Sequence, residues 1–336
     1  MSFDVAKQAA DYFFENKYLF PESSVAYDFI GGEPLIEIEL IDRICDYLQS
    51  RSRELDHSWT DTYSIRISTN GLLYSNEGVQ RFIAKHKTRL SISISIDGTR
   101  SKHDSNRVYK NGKGSYDAVI KNVKLWITQF PDAGTKVTVS SDDLPYLKEG
   151  VLHLLDLGIK NLSVRTVFEN VWKDGDDAVY EQQLTDLADH IIDNKLYDKF
   201  DLYLFDESIG KPLSKDDQHN WCDSLMIAVD ASGVFYPCLR FAKFSLRNRK
   251  ALSIGNVWDG VDTNKLRPFY SIDRCTQSPN QCVDCEIASG CGWCPAENYD
   301  VADTPTIFQR STSICKMHKA RVRAKNYYRN KLKSIV

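Results

Sequence analysis

Eight of the nine cysteines lie between residues 222 and 315, and their spacing is the strongest constraint on what this chain folds into. The segment contains two CxxC pairs, Cys282 with Cys285 and Cys291 with Cys294. A CxxC turn brings two sulfurs to one metal centre, and eight thiolates suffice for two sites with four ligands each. The predicted metal ligands are Cys222, Cys238, Cys275, Cys282, Cys285, Cys291, Cys294 and Cys315.

The remaining composition restricts the compartment and the partners. Residues 1–7 lack the apolar core of a secretory signal, and no stretch is apolar for the length of a membrane span, so we expect a cytoplasmic protein with no membrane partner. In that compartment, paired CxxC steps indicate zinc, iron–sulfur or redox chemistry instead of disulfides. The formal net charge of -3 gives no indication of a nucleic-acid partner.

Residues 1 to about 205 alternate helical and strand patterns, which predicts right-handed βαβ units and a parallel sheet. The alternation begins with a helix at Phe3–Asn16, so one strand that should precede it is missing from the pattern. Further on, a turn at Asp230–Gly233 predicts a β-hairpin, and a basic helix is predicted from near Cys315 to about Lys333. The five predicted strands are 25–30, 64–68, 90–96, 136–139 and 162–167.

Three distinctive loops follow predicted strands, where ligands of parallel sheets bind. They are Gly31-Gly32-Glu33-Pro34, Thr69-Asn70-Gly71 and Ser95-Ile96-Asp97-Gly98. Each loop alone is weak, because glycine, asparagine and aspartate are also ordinary turn residues. Glycine backbone can approach an ammonium group closely, and a carboxylate can accept hydrogen bonds from ribose hydroxyls.

Together, the loops and the cysteines resemble the radical S-adenosylmethionine (SAM) enzymes that carry a C-terminal SPASM domain. The three loops stand in that family's order, and Cys222, Gly233, Cys238, the CxxC block and Cys315 follow the seven-cysteine SPASM spacing. The resemblance implies an α/β fold: a partial (β/α)6 barrel without its first strand, and a small cysteine-rich domain. The implied domains are residues 1–205 for the barrel, 206–318 for the SPASM domain and 319–336 for a basic terminal helix.

The resemblance also implies cofactor sites. The backbone and side chain of the Gly31–Glu33 segment would hold the methionyl ammonium of SAM. One auxiliary [4Fe–4S] cluster would use Cys282, Cys285, Cys291 and Cys315. The other would use Cys222, Cys238 and Cys294, with Cys275, substrate or nothing as its fourth ligand. The full set of predicted SAM-binding residues is Gly31, Gly32, Glu33, Asn70, Ser95, Asp97 and Arg107.

Two departures from the family pattern affect function. The family's catalytic cluster is bound by a CxxxCxxC loop, and this sequence contains no such loop. We therefore expect a chain that is inactive as given, either truncated or one half of a split system whose partner supplies the loop. Sulfatase-maturing members carry an aspartate directly after the cysteine of the Tyr-Pro-Cys step, where this chain has Leu239. Its absence favours another peptide modification, such as thioether formation.

The function that we predict is therefore maturation of a ribosomal peptide, with the peptide as partner and no assigned catalytic residue. Two alternatives stay open: a non-catalytic iron–sulfur protein that binds a peptide or a partner protein, and a structural zinc protein. Cys45 is predicted to be a core thiol, because it shares an apolar helix face with Ile41, Ile44 and Leu48. The basic residues after Cys315 form either a solvated helix face or a docking surface for an acidic partner.

Overall fold

The computed structural model describes residues 1–213, 226–274 and 277–335. Cys222 and Cys275, two of the predicted metal ligands, lie outside the described residues. None of the helices in the described part of the chain is both long and apolar enough to cross a membrane.

The first two thirds of the described chain alternate helices and strands. The predicted strands are found within two residues of their expected bounds, and a short sixth strand follows them. The strands are β1 (Val25–Phe29), β2 (Tyr63–Thr69), β3 (Leu90–Ile94), β4 (Gly134–Val139), β5 (Asn161–Thr166) and β6 (Asp201–Leu202). The helices are α1 (Phe3–Glu15), α2 (Ile38–Glu54), α3 (Glu77–His86), α4 (Arg100–Asn106), α5 (Tyr116–Gln129), α6 (Leu147–Asp156) and α7 (Asp176–Asp193).

These strands form two three-stranded sheets in the orders β1-β2-β3 and β4-β5-β6. Strand β2 pairs in parallel with β3, and β5 pairs in parallel with both β4 and β6. Side chains join the two sheets between β3 and β4: Ser93 donates to the carbonyl of Gly134 at 2.6 Å, and Thr135 donates to that of Ile94 at 2.7 Å. The predicted parallel α/β fold, in which a helix precedes the first strand, is confirmed.

The two faces of these strands differ in polarity. Alternate residues of β2 and β3, such as Ile65 and Ile92, are buried, and the indole of Trp126 in α5 donates to the carbonyl of Ile92 at 2.8 Å. The residues between them, such as Arg66 and Ser91, are exposed, and β4 and β5 continue the pattern. Parallel sheets usually bury both faces, so a polar face here marks a surface available for binding.

The cysteine-rich part begins with a small antiparallel sheet of order β10-β9-β8-β7. The predicted hairpin is present: Ala228 pairs with Tyr236, and Asp230 caps the turn by accepting from the backbone N–H groups of Ser232 and Val234. Its elements are β7 (Ala228–Val229), β8 (Val234–Tyr236), β9 (Gly255–Asn256), β10 (Gly260–Val261), α8 (Thr263–Tyr270), α9 (Asn280–Val283), α10 (Pro295–Val301) and α11 (Cys315–Lys333).

The chain separates into two compact units. The first contains residues 1–25, 42–62 and 210–313; the second contains residues 26–41, 63–209 and 314–336. The predicted domain boundaries at residues 205 and 318 stay a prediction. They divide the chain into contiguous segments, whereas the two compact units are grouped by contacts and each combines separate segments.

The terminal helix α11 has the predicted bounds, and most of its positive charge is used inside the second unit. Arg323 pairs with Glu181 of α7 at 2.6 Å, and Lys331 pairs with Asp189 of the same helix at 2.6 Å. Arg329 donates to the carbonyl of Phe205 at 2.8 Å. These bonds attach α11 to its own unit. The basic residues that make them therefore form neither a solvated face nor an open docking surface.

Candidate functional site

The three predicted binding loops meet at one edge of the β1-β2-β3 sheet. The carboxylate of Glu33, after β1, accepts from the hydroxyl of Thr69 at 2.5 Å and from the backbone N–H of Asn70 at 2.8 Å, both at the end of β2. The N–H of Ser95, after β3, donates to the carbonyl of Thr69 at 2.9 Å. The parallel register, which aligns Thr69 with Ile94, places these strand ends side by side.

The first loop offers backbone for binding, and its carboxylate is already engaged. Glu33 caps the short helix at Pro34–Glu37 by accepting from the N–H of Leu35 at 3.1 Å, in addition to its two bonds to the second loop. A Cβ added at Gly31 or Gly32 would meet no atom within 4 Å, so the backbone there is open to a ligand. The backbone can therefore approach an ammonium group closely, while the Glu33 carboxylate holds two loops together.

Asp97 and Arg107, two of the predicted SAM-binding residues, bind each other. The guanidinium of Arg107 donates to the Asp97 carboxylate through Nε at 2.7 Å and Nη2 at 3.2 Å, a bidentate ion pair. The carboxylate is 8% exposed and the guanidinium 35%, so a ligand would reach the pair from the arginine side. Close packing fixes the loop, because a Cβ at Gly98 would lie 2.9 Å from the Cα of Gly150.

Two predicted ligands of one cluster, Cys238 and Cys294, are both buried in the first unit. Burial raises the pKa of the Cys294 thiol, the positive charge of Arg240 opposes that rise, and Cys238 is close enough to add to it. The N–H of Arg240 donates to the sulfur of Cys238 at 3.4 Å. A buried pair of sulfurs beside a guanidinium suits a negatively charged thiolate site.

Cys282, Cys285 and Cys291 follow one another through a series of turns. The N–H of Cys282 donates to the carbonyl of Pro279 at 2.7 Å, that of Ala288 to Cys285 at 3.2 Å, and that of Cys291 to Ala288 at 3.0 Å. The three sulfurs are not all within 4.8 Å of one another, whereas ligands around one zinc ion would be about 3.8 Å apart. The described cysteines form no disulfide, and Cys45 is buried as predicted.

Comparison with solved structures decides the fold. The chain superimposes on anSMEcpe with bound AdoMet over 98% of its length and 91% of that chain, at a TM-score of 0.71 and 15% identity. It also superimposes on Streptococcus suis SuiB bound to precursor peptide SuiA, over 92% of its length and 69% of that chain, at a TM-score of 0.57 and 19% identity. The chain has the fold of the radical SAM/SPASM maturases.

Sequence comparison covers less of the chain. An uncharacterized protein of Methanocaldococcus jannaschii is 30% identical over 163 residues, which are 48% of this chain and 52% of that protein. A cysteine-type anaerobic sulfatase-maturating enzyme of Clostridium novyi is 26% identical over 106 residues, 31% of this chain and 26% of that enzyme. The chain thus spans at most about half of these relatives, and no family model matches it.

Within the radical SAM/SPASM fold, several residues that support the site were not identified from the sequence. The amide of Asn122 in α5 donates to the carbonyl of Gly71 at 2.7 Å and supports the second loop. The ring of His103 is fully buried, and its Nε2 lies 3.1 Å from the hydroxyl of Ser115, which donates to the carbonyl of Arg107. His103 and Ser115 occur in the family-like segments that the sequence showed, but their contact is tertiary.

An arginine also accompanies the CxxC block. Arg310 donates to the sulfur of Cys291 at 3.6 Å and to the hydroxyl of Ser278 at 3.2 Å, and its guanidinium lies 4.9 Å from the ring centre of Trp293. Arg310 is distant in sequence from the cysteine that it contacts, so no local pattern identifies it. Guanidinium groups near sulfur ligands are among the means by which proteins adjust metal sites.

Proposed function

We propose that the chain binds SAM and two iron–sulfur clusters and acts in the maturation of a peptide, through a linkage such as a thioether. One observation carries this proposal: the fold match spans 92–98% of the chain and joins it to proteins solved with AdoMet or with precursor peptide. The convergence of the three loops at one sheet edge supports a SAM site there.

The residues at that edge fit SAM in charge and shape. The open backbone at Gly31 and Gly32 would accept from its ammonium group, and Arg107 would bind its carboxylate from the exposed side of the Asp97 pair. Ser95, Asn70 and Asp97 remain the proposed contacts to the ribose and the amino-acid part. Glu33 would act by holding the first two loops in register, through its bonds to Thr69 and Asn70.

The cysteine segments fit iron–sulfur clusters. One set is Cys282, Cys285, Cys291 and Cys315; the other is Cys222, Cys238 and Cys294, with Cys275, substrate or nothing as its fourth ligand. The burial of both Cys238 and Cys294 in the first unit supports the second set, and the CxxC turns support the first. SAM and iron–sulfur clusters supply radical and one-electron chemistry when they are bound. The chain's own residues would orient the peptide and exclude water.

The proposed catalytic step needs a CxxxCxxC loop, which we propose is supplied by a segment outside residues 1–336, either of the same polypeptide or of a partner, because these residues contain no such loop. The test measures 5′-deoxyadenosine by mass spectrometry, using the anaerobically reconstituted chain with reductant and SAM. We expect product only when a polypeptide that carries CxxxCxxC is added. Product from the chain alone would refute the need for that loop, and no product in either sample would refute the proposed activity.

Metal analysis tests the cluster assignment separately. We expect roughly eight irons per chain for two four-iron clusters, and zinc in their place would refute it. Replacing Cys282 and Cys285 together by alanine should remove about four irons, since each cluster depends on its own ligand set. The matched control is Cys45→Ala, which removes a buried thiol from the described core and should leave the iron content unchanged.

A further inference from the structure

The polar face of the β4-β5-β6 sheet contains a cavity of about 390 Å³. It is lined by β3, the first half of β4, most of β5 and the residue that follows β6, all of which belong to the second compact unit. Among the described residues that line it, two are basic and none is acidic. The lining residues are Ser93, Gly134, Thr135, Lys136, Asn161, Leu162, Ser163, Arg165 and Tyr203.

The strand register makes this cavity a feature of the fold. Lys136 and Arg165 both lie at exposed positions, and Val137 and Val164 between them are buried on the opposite face. Lys136 pairs with Ser163 across the parallel ladder, and Arg165 lies two residues further along β5. Alternation along a strand therefore places both cations on the side away from the helices.

Two guanidinium groups share one aromatic ring at the cavity wall. The guanidinium carbon of Arg165 lies 4.6 Å from the ring centre of Tyr203, and that of Arg321, from α11, lies 4.3 Å from it. The two positive charges are therefore within about 9 Å of each other. Like charges at that distance repel, and an anion bound between the strands would reduce the repulsion.

Neither arginine is in ion-pair contact with a carboxylate in the described part of the chain. Arg165 donates through Nε to the hydroxyl of Ser163 at 2.9 Å, and Arg321, which is buried, donates to the carbonyls of Tyr203 and Leu204. Other cations of α11 do pair with carboxylates, at Lys316, Arg323, Arg329 and Lys331. Arg321, which faces Tyr203, thus differs from these four cations in binding carbonyl oxygens instead of carboxylates.

We infer that this cavity binds a carboxylate group of the peptide on which the chain acts. The terminal nitrogens of Arg165 form the bidentate fork that carboxylates prefer, since its Nε is already bound to Ser163. Lys136 adds a second cation on the neighbouring strand, and the Ser163 hydroxyl, as an acceptor from Arg165, keeps its own proton for donation. The inference rests on the proposed function, which supplies the peptide substrate. It adds that this peptide carries a carboxylate at the position that the cavity binds.

Two sources supply such a carboxylate: an aspartate or glutamate side chain, and a peptide C-terminus. The test uses three probes with the reconstituted full chain: N-acetyl-Gly-Glu-Gly-amide, its glutamine counterpart, and N-acetyl-Gly-Gly-Gly with a free C-terminus. Phenylglyoxal labels exposed arginines, and mass mapping reports the labelling rate at Arg165 and at Arg81. Arg81 is the control, because it is an exposed arginine that does not line the cavity.

We expect a probe with a carboxylate to slow labelling at Arg165 and not at Arg81, and the glutamine probe to leave both rates unchanged. Protection by the glutamate probe alone would assign the site to a side chain, and protection by the free tripeptide alone to a C-terminus. Equal protection by the glutamate and glutamine probes, or none by either carboxylate at its solubility limit, would overturn the inference.

A variant keeps the inference testable by a second route. In Arg165→Gln, the protection of Lys136 from acetylation by the effective probe should need a roughly tenfold or higher probe concentration, because a charge-assisted bond is lost. Arg81→Gln should behave as wild type, and unchanged protection in Arg165→Gln would refute the role of Arg165. Labelling requires no turnover. Intact protection, without 5′-deoxyadenosine even when the CxxxCxxC polypeptide is added, would refute only the proposed activity, and the reverse result would refute only the carboxylate site.

Discussion

Replacing Gly71 by alanine is expected to destabilise the second unit more than the same change at Gly112. The two glycines have almost the same backbone conformation, with φ of +78° and +79°. They differ in their surroundings: a Cβ at Gly71 would lie 2.6 Å from Cγ2 of Ile94, and a Cβ at Gly112 would meet nothing within 4 Å. The pair therefore separates the cost of the backbone conformation from the cost of the contact.

The left-handed conformation costs about 1–2 kcal/mol for a residue with a Cβ, and both variants share this cost. Gly71→Ala adds a contact with Ile94, which is fully buried and β-branched, so its Cγ2 cannot rotate away freely. Adding a methyl group to a packed core costs about 1–3 kcal/mol more. We expect the free energy of unfolding to fall by about 1–2 kcal/mol in Gly112→Ala and about 2–5 kcal/mol in Gly71→Ala.

The assay is urea unfolding of the anaerobically reconstituted chain, followed by intrinsic tryptophan fluorescence, to which Trp126, buried against β3 in the same unit, contributes. Because the change at Gly71 also displaces the loop that contains Asn70, SAM binding should weaken in that variant and not in Gly112→Ala. Equal losses of stability in the two variants would show that the contact with Ile94 contributes nothing, and would refute the packing argument for this loop.

Three further predictions concern buried polar groups. Burial lowers the pKa of His103, so its contribution to stability is present above the unfolded pKa of about 6.5 and is lost as pH falls below it. As the pH decreases, the free energy of unfolding in urea should therefore fall less in His103→Gln than in wild type. Lys102→Met removes the cation from the Asp143 carboxylate, which is 13% exposed and keeps its bonds from Ser140, and should cost about 1–3 kcal/mol, whereas Lys173→Met breaks an exposed pair and should cost about 0–1 kcal/mol. The Glu33 carboxylate accepts from Leu35, Thr69 and Asn70, and in Glu33→Gln an amide nitrogen would face one of these donors. The free energy of unfolding should fall by about 1–3 kcal/mol, measured by thermal unfolding.

The sequence supported the fold well because local patterns determine its elements. Alternation of apolar and polar residues located the five main strands, and the bounds of α11 follow from the helical pattern that starts at Cys315. The order of the three loops was also sufficient to expect a common site, since the ends of parallel strands meet at one edge. These inferences depend on short sequence distances, where propensity and periodicity act.

The contacts that fix the site were not predictable, because they join residues that are distant in sequence. Glu33 was expected to contact a ligand, and the structure shows its carboxylate bound to Thr69 and Asn70. Arg310 reaches Cys291 from 19 positions away. Such bonds require the tertiary arrangement, and the sequence alone shows only that each residue is capable of them.

The alternation of polar and apolar residues along the parallel strands also contains information about function. The serine–apolar alternation from Leu90 to Ile94 is typical of a strand with one buried face, yet the sheet is parallel, and parallel sheets usually bury both. The same alternation in β4 and β5 places Lys136 and Arg165 on the polar side. A polar face on a parallel sheet binds a ligand or water, and Arg165 on this face has no ion pair with a carboxylate of the described residues. Alternation in a parallel sheet is therefore itself a prediction of a binding surface, and the charges along it predict the class of ligand.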